Sequence, residues 1–157
     1  MTAVTWIMRR SKLSRLVNQP GGVTVAAALA EAAEQTREFR VEAERIVLAA
    51  FDELDGLLAA PPAPADAEAW LDKVYFLATR MSDTAGPFGF ADMCAAALSL
   101  CELADRQKRA GRPHLPPLRV HAAALRLLFS ADQPAEASRA VLAGLAQVVD
   151  KAARPAG

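Results

Sequence analysis

The sequence is poor in aromatic residues, in histidine and in net charge. Its 157 residues include six Phe, two Trp, one Tyr and two His, and 18 Lys and Arg balance 18 Asp and Glu. With 53% hydrophobic residues and so few aromatics, Leu, Val and Ala must build the core, which favours helices. No alternating run rich in Val, Ile and Thr indicates a strand. We therefore predict an all-α fold, and the neutral charge balance gives no general case for a nucleic acid partner.

Cysteine is scarce as well. The two cysteines, Cys94 and Cys101, lie seven residues apart on one predicted helix. Two helical turns separate their Cα atoms by about 10 Å, which is too far for a disulfide between them. The pair has no partners at metal-ligand spacing, so we predict no metal site. Two reduced core residues are the expected state, and they fit a reducing compartment.

Long hydrophobic runs are also missing. No stretch approaches the roughly 20 apolar residues that a membrane-spanning helix needs. In the opening segment, MTAVTWIMRRSKLSR, the charges follow a short apolar patch, which is the reverse of the order in a secretory signal. We expect a cytoplasmic protein without a membrane partner.

Motifs for catalysis are absent from the sequence, including the P-loop, Gly-x-Ser-x-Gly and His-Glu-x-x-His. His114 lies in a proline-bracketed loop and is expected to be a solvated turn residue. His121 could be a displaced phosphoacceptor only if it faced solvent, and Ala-Ala-Ala-Leu follows it rather than a Lys and a Gly. We predict that the protein is not an enzyme and needs no cofactor.

The chain divides into an arm and a helical region. Residues 1–22 form a basic and apolar arm, which either docks a partner or an anionic surface or folds back on the bundle with its charges solvated. Residues 23–157 are predicted to form a single helical-bundle domain. The predicted helices cover residues 24–60, 66–84, 89–110, 118–129 and 132–153, with Thr24 and Asp66 as N-caps. The first of them is either one helix or two broken near residues 36–39, and its apolar seam comprises Leu29, Ala32, Phe39, Ala43, Ile46, Ala50 and Leu57.

The stretch from Tyr75 to Cys101 organises the rest of the chain. It predicts the end of one helix, a tight break at Gly86-Pro87 and a second helix launched from Phe88-Gly89-Phe90. Gly86 is the expected left-handed C-cap, and Pro87 stops the first helix. Apolar side chains at spacings of three and four line both helices, namely Tyr75, Leu77, Ala78 and Met81 on the first and Met93, Ala97, Leu100, Cys101 and Ala104 on the second.

This stretch resembles the central hairpin of histidine-phosphotransfer (HPt) domains. Those domains carry His-x-x-Lys-Gly on one helix, followed by a small-residue turn that opens the next helix. Aligned on Ala85-Gly86-Pro87-Phe88-Gly89-Phe90, the phosphoacceptor histidine falls on Thr79, the lysine on Ser82 and the glycine on Asp83. All three chemical positions depart from the family pattern. The resemblance implies an antiparallel four-helix-bundle core, here with an additional N-terminal arm and a C-terminal helix.

The resemblance also implies a function without phosphotransfer. We predict a non-catalytic HPt-like module that docks a response-regulator receiver domain or a histidine kinase in a two-component or chemotaxis pathway. The binding face would comprise Thr79, Arg80, Ser82, Asp83, Gly86, Phe88 and Phe90. Asp83 is expected to be solvent-accessible, because an unpaired buried carboxylate is costly. The alternative is a helical homo-oligomeric scaffold subunit, such as a homodimer, without a signalling role.

Overall fold

The computed structural model describes residues 22–130 and 134–152, and all the regular secondary structure within them is helical. Its five α-helices are α1 (Val25–Leu58), α2 (Ala67–Ala85), α3 (Ala91–Ala110), α4 (Leu115–Phe129) and α5 (Ala135–Ala152). Two short 3₁₀ helices, Pro64–Asp66 and Gly86–Phe88, precede α2 and α3. No strand occurs in the described ranges, so the all-α prediction is confirmed. The predicted arm lies almost wholly outside these ranges, and so does Asp132, the expected start of the last helix.

The sequence left open whether residues 24–60 form one helix or two. They contain one helix, because α1 runs unbroken for 34 residues. The Thr24 hydroxyl accepts a hydrogen bond from the Ala27 amide at 3.2 Å, which confirms the predicted N-cap. The described chain divides into two compact units within α1, residues 22–38 and residues 39–152. Every described residue of the first unit is exposed. A single domain over residues 23–157 stays a prediction.

The apolar seam predicted for α1 was partly wrong. Leu29 and Phe39 are each 65% exposed. The residues that α1 buries are Ala43, Val47, Ala50, Phe51, Leu54 and Leu58. This stripe follows the 3.6-residue period of a helix. It includes Val47, Phe51 and Leu58, each of which directly follows a residue of the predicted seam.

Helix α3 lies at the centre of the second unit, where it packs against α2, α4 and α5. Its buried side chains include every member of the predicted stripe, namely Met93, Ala97, Leu100, Cys101 and Ala104. Alanine at several of these positions lets the neighbouring helices approach closely. The buried parts of all five helices, from Val47 on α1 to Val149 on α5, form one hydrophobic cluster.

The turn between α2 and α3 differs from the prediction in which glycine carries the unusual backbone. Gly86 is right-handed, with φ −52° and ψ −48°, whereas Gly89 is left-handed at φ 88°. A residue before proline avoids the right-handed region because its Cβ clashes with the proline ring. Gly86 has no Cβ, so the chain continues into a 3₁₀ turn through Pro87. The left-handed residue is therefore Gly89, three residues after Gly86.

Two predicted helix starts need correction. Asp66 makes no side-chain cap to α2 and instead ends a 3₁₀ helix that begins at Pro64. Helix α4 begins at Leu115 rather than at residue 118, because prolines in a first turn lack only amides that would have no helical partner. The end of α3 was predicted correctly, since Gly111 follows it with φ 62° and donates to the Gln107 and Lys108 carbonyls.

Candidate functional site on helices α2 and α3

Helix α2 presents two different sides. Its inner side is buried in the core through Trp70, Leu71, Val74, Leu77, Ala78, Met81 and Ala85. Its outer side carries two aromatic residues, Tyr75 at 47% exposure and Phe76 at 64%. From the sequence we predicted that Tyr75 belongs to the apolar side of this helix, and we assigned no role to Phe76. An exposed aromatic pair on a helix is a feature of protein-docking surfaces.

Thr79 and Ser82 lie at the seam between α2 and α3 and are half-buried. The Thr79 hydroxyl is 3.6 Å from the Cys101 sulfur, and the Cys94 thiol donates to the Ser82 carbonyl at 3.5 Å. The Cys101 thiol also donates to the Tyr75 carbonyl at 3.8 Å. The hydroxyl at the position aligned with the phosphoacceptor is therefore held in a packing contact with α3.

Both cysteines are free thiols, as predicted. Burial raises the pKa of the Cys101 thiol, the bond to Thr79 opposes the rise, and the negative charge of Asp83 adds to it. The thiolate is the nucleophilic and metal-binding form, so this environment makes Cys101 unreactive near neutral pH. Among the described residues, no group of three His, Cys, Asp or Glu side chains is placed to hold a metal ion.

Arg80 and Asp83 complete the part of the predicted face that α2 provides. Arg80 forms an ion pair with Glu53 on α1 at 3.5 Å, and its side chain is 36% exposed. Asp83 is exposed, as predicted from the cost of burying an unpaired carboxylate. The Arg80 guanidinium thus ties α2 to α1, while the Asp83 carboxylate faces solvent.

Gly86, Phe88 and Phe90 belong to the turn, and Phe90 packs away from the outer side of α2. Its ring stacks on Phe129 of α4 with centroids 4.8 Å apart, and Phe129 in turn meets Phe51 of α1 edge-on at 5.5 Å. The Arg40 guanidinium lies 5.2 Å above the Phe90 ring. Phe90 therefore serves the packing of α1 and α4, whereas Gly86 is exposed and Phe88 half-buried.

A groove of about 580 Å³ runs between α2 and α3 beside Tyr75. Its floor is formed by Leu71 and Ala104, and its rim is charged. The Lys108 ammonium contacts the Asp72 carboxylate at 2.7 Å and the Glu68 carboxylate at 3.2 Å, which raises the pKa of Lys108. These ion pairs cross the groove, so its charges are already matched within the chain.

The two histidines occupy contrasting places. His114 is exposed, and its backbone is held by Gln107, which donates to the His114 carbonyl at 3.2 Å and accepts from its amide at 2.8 Å. His121 is fully buried on α4, and burial lowers the pKa of its ring. A phosphoacceptor must be reached by a receiver domain, and the His121 ring is closed to such an approach.

No helix within the described ranges combines the length and the apolar content that a membrane crossing would need. Comparison with protein-family models, with curated protein sequences and with solved structures gave no match to this chain.

Proposed function

We propose that this chain is a non-catalytic HPt-like binding module that docks a receiver domain or a histidine kinase of a two-component or chemotaxis pathway. In this proposal the part of α1 from residue 39, together with α2, α3 and α4, forms an antiparallel four-helix bundle. The outer side of α2 is the docking face. The observation that carries the proposal is the exposure of Phe76, 64%, on the helix where the resemblance places partner contact.

The lack of an available imidazole supports docking without phosphotransfer. Thr79 stands at the aligned acceptor position and its hydroxyl is 3.6 Å from the Cys101 sulfur. The only two histidines of the chain are His114, in a loop, and the fully buried His121. Incubated with an active kinase and receiver, the protein is expected to acquire no acid-labile phosphate. Label that vanished in His121→Ala would contradict this reading.

The charge of Asp83 supports a preference among partners. The resemblance implies that a receiver offers an acidic pocket, and Asp83 places a carboxylate where that pocket would come close. Like charges at a partly dry interface repel by on the order of 1 kcal/mol. Partner surfaces that carry Arg or Lys beside an apolar patch for Phe76 are therefore favoured, and salt screens this preference.

Binding isotherms with candidate receivers and kinases at low and moderate salt test the proposal. Phe76→Ala is expected to weaken binding at least tenfold, since exposed aromatic anchors dominate interface energies. Asp83→Gly is expected to strengthen binding to a receiver, and the gain should shrink as salt rises. Phe39→Ala is the matched control, because Phe39 on α1 has the same side chain at 65% exposure, and it should change nothing. If neither Phe76→Ala nor Asp83→Gly alters any isotherm, the α2 face is not a docking surface.

A helical homo-oligomeric scaffold is the second candidate. It is favoured by two exposed apolar pairs at seven-residue spacing, Val41 with Leu48 on α1 and Val120 with Leu127 on α4. Residues seven apart share one side of a helix, so each pair forms a short apolar stripe open to a second copy. Mass measurement in solution over a concentration series separates the candidates, because the scaffold requires a stable oligomer and the docking module does not.

A further inference from the structure

His121 and Ser99 form a hydrogen-bonded pair between α4 and α3, away from the outer side of α2. The His121 Nδ1 atom lies 2.8 Å from the Pro117 carbonyl oxygen, and the Nε2 atom lies 3.0 Å from the Ser99 hydroxyl. A carbonyl oxygen can only accept, so Nδ1 carries the ring proton. Nε2 of the neutral ring is then the acceptor, and the Ser99 hydroxyl donates to it.

This arrangement has the three parts of an activated serine. Ser99 is the hydroxyl, His121 is the base that can take its proton, and the Pro117 carbonyl orients the ring from the far side. Burial lowers the pKa of His121, so the ring is neutral and able to accept a proton near pH 7. A helical serine commonly bonds to the carbonyl four residues before it, whereas Ser99 reaches across to a second helix.

Ser99 is half-buried and lines an open groove between α3 and α5. The groove has a volume of about 390 Å³ and apolar walls that include Leu98 and Leu142. Arg106 lines it too, with its guanidinium bonded to Glu102 at 2.5 Å and to the Val149 carbonyl at 3.4 Å. Ser99 therefore opens onto a groove wide enough for a small ligand, whereas its partner, the His121 ring, is fully buried and does not line that groove.

We propose that Ser99 is a nucleophile that accepts an acyl group from small activated esters entering the groove between α3 and α5. Ser99 Oγ forms a bond to the ester carbonyl carbon as its proton passes to His121 Nε2. The bond from that carbon to the leaving oxygen then breaks, and the leaving group takes the proton from His121 Nε2. The product is one ester on Ser99 and one alcohol or phenol, with no oxidant or cofactor.

The inference goes beyond the proposed function, because it concerns a different surface and requires no partner. The probe is p-nitrophenyl acetate at pH 7, with the acetylated residue identified by peptide mass mapping. We expect one acetyl group on Ser99 and none at that position in Ser99→Ala. The control within the same molecule is Ser130, which is exposed after α4 and cannot bond to the His121 ring, whose two nitrogens are already occupied.

The role of His121 is tested in two ways. His121→Gln, checked for helix content, should acetylate Ser99 about a hundredfold more slowly, within the usual range of general-base contributions. In the unaltered protein, the rate at Ser99 should be level from pH 7 upward, because burial lowers the pKa of His121 and the ring is already neutral there. This pH profile keeps the proposal testable if His121→Gln fails to fold. The proposal is overturned if Ser99 reacts no faster than Ser130, if folded His121→Gln reacts at an unchanged rate, or if the rate at Ser99 keeps rising with pH above 7, as it would for a serine without a neutral base.

Discussion

Phe90 was predicted to contact a partner, and its contacts in the structure lead to a different expectation, which Phe90→Ala tests. The ring is half-buried, stacks on Phe129 and lies beneath the Arg40 guanidinium. Truncating a fully buried Phe to Ala costs about 3–5 kcal/mol. Because Phe90 keeps part of its surface in water, we expect roughly half of this, about 2 kcal/mol, of which the stacking on Phe129 supplies about 1 kcal/mol.

The matched control is Phe76→Ala. Phe76 has the same side chain but is 64% exposed, so its removal should change the free energy of unfolding by less than about 0.5 kcal/mol. Urea unfolding followed by far-UV circular dichroism measures both variants. Fluorescence in a Trp6→Phe background, where Trp70 is the single tryptophan, adds a second probe from the core, because the Trp70 indole donates to the Leu57 carbonyl at 3.1 Å. A lower urea midpoint is expected for Phe90→Ala alone.

Either variant can refute the assignment of Phe90 as a packing residue and of Phe76 as an exposed one. If Phe90→Ala unfolded with a free energy within about 0.5 kcal/mol of the unaltered protein, the spread usual for surface substitutions, the contact between Phe90 and Phe129 would contribute nothing. A loss of about 2 kcal/mol in Phe76→Ala, the size expected for a buried side chain, would mean that Phe76 is buried in solution. That result would remove the main support for the docking face on α2. Weakened partner binding in Phe76→Ala at unchanged stability would agree with both assignments.

Two further predictions concern Gln107 and His121. Gln107 is buried and bonds reciprocally to the His114 backbone, so Gln107→Ala should lower the free energy of unfolding by about 1–2 kcal/mol in urea. Gln107→Glu should lower it by at least as much, because it buries a carboxylate and turns one of its oxygens toward the His114 carbonyl oxygen. The pKa of His121 is lower in the folded state than in the unfolded state, so its stabilisation is complete above the unfolded value of about 6.5 and is lost as pH falls from there toward the folded pKa. Urea midpoints from pH 7.5 to 5 should fall for the unaltered protein, and less for His121→Gln, whose residual slope reports the carboxylates.

Local physics made part of the fold predictable from the sequence. The stripe on α3 was predicted correctly because every buried position from Met93 to Ala104 is apolar. The N-cap at Thr24 and the end of α3 at residue 110 were correct because capping depends on a few neighbouring backbone groups. Asp83 was correct because burying a lone carboxylate is costly wherever the helix packs.

Other features depended on contacts distant in sequence. The side that α1 buries is set by what covers it, and its alanine-rich pattern fits more than one stripe, so Leu29 and Phe39 were misplaced. The left-handed residue was predicted at Gly86 but is Gly89, because a 3₁₀ turn forms through Pro87. Ser99 was not singled out at all, since its partner His121 lies 22 residues away and only the packing of α4 on α3 joins them.

The geometry of α3 keeps the two proposed surfaces apart. Successive residues of an α-helix are rotated by about 100°, so Ser99 and Cys101, two positions apart, point in nearly opposite directions. Cys101 meets Thr79 and the Tyr75 carbonyl on α2, whereas Ser99 meets His121 on α4 and lines the groove with α5. A partner on the outer side of α2 therefore leaves that groove open. Docking and acylation use different side chains, so a result that refutes one proposal does not refute the other.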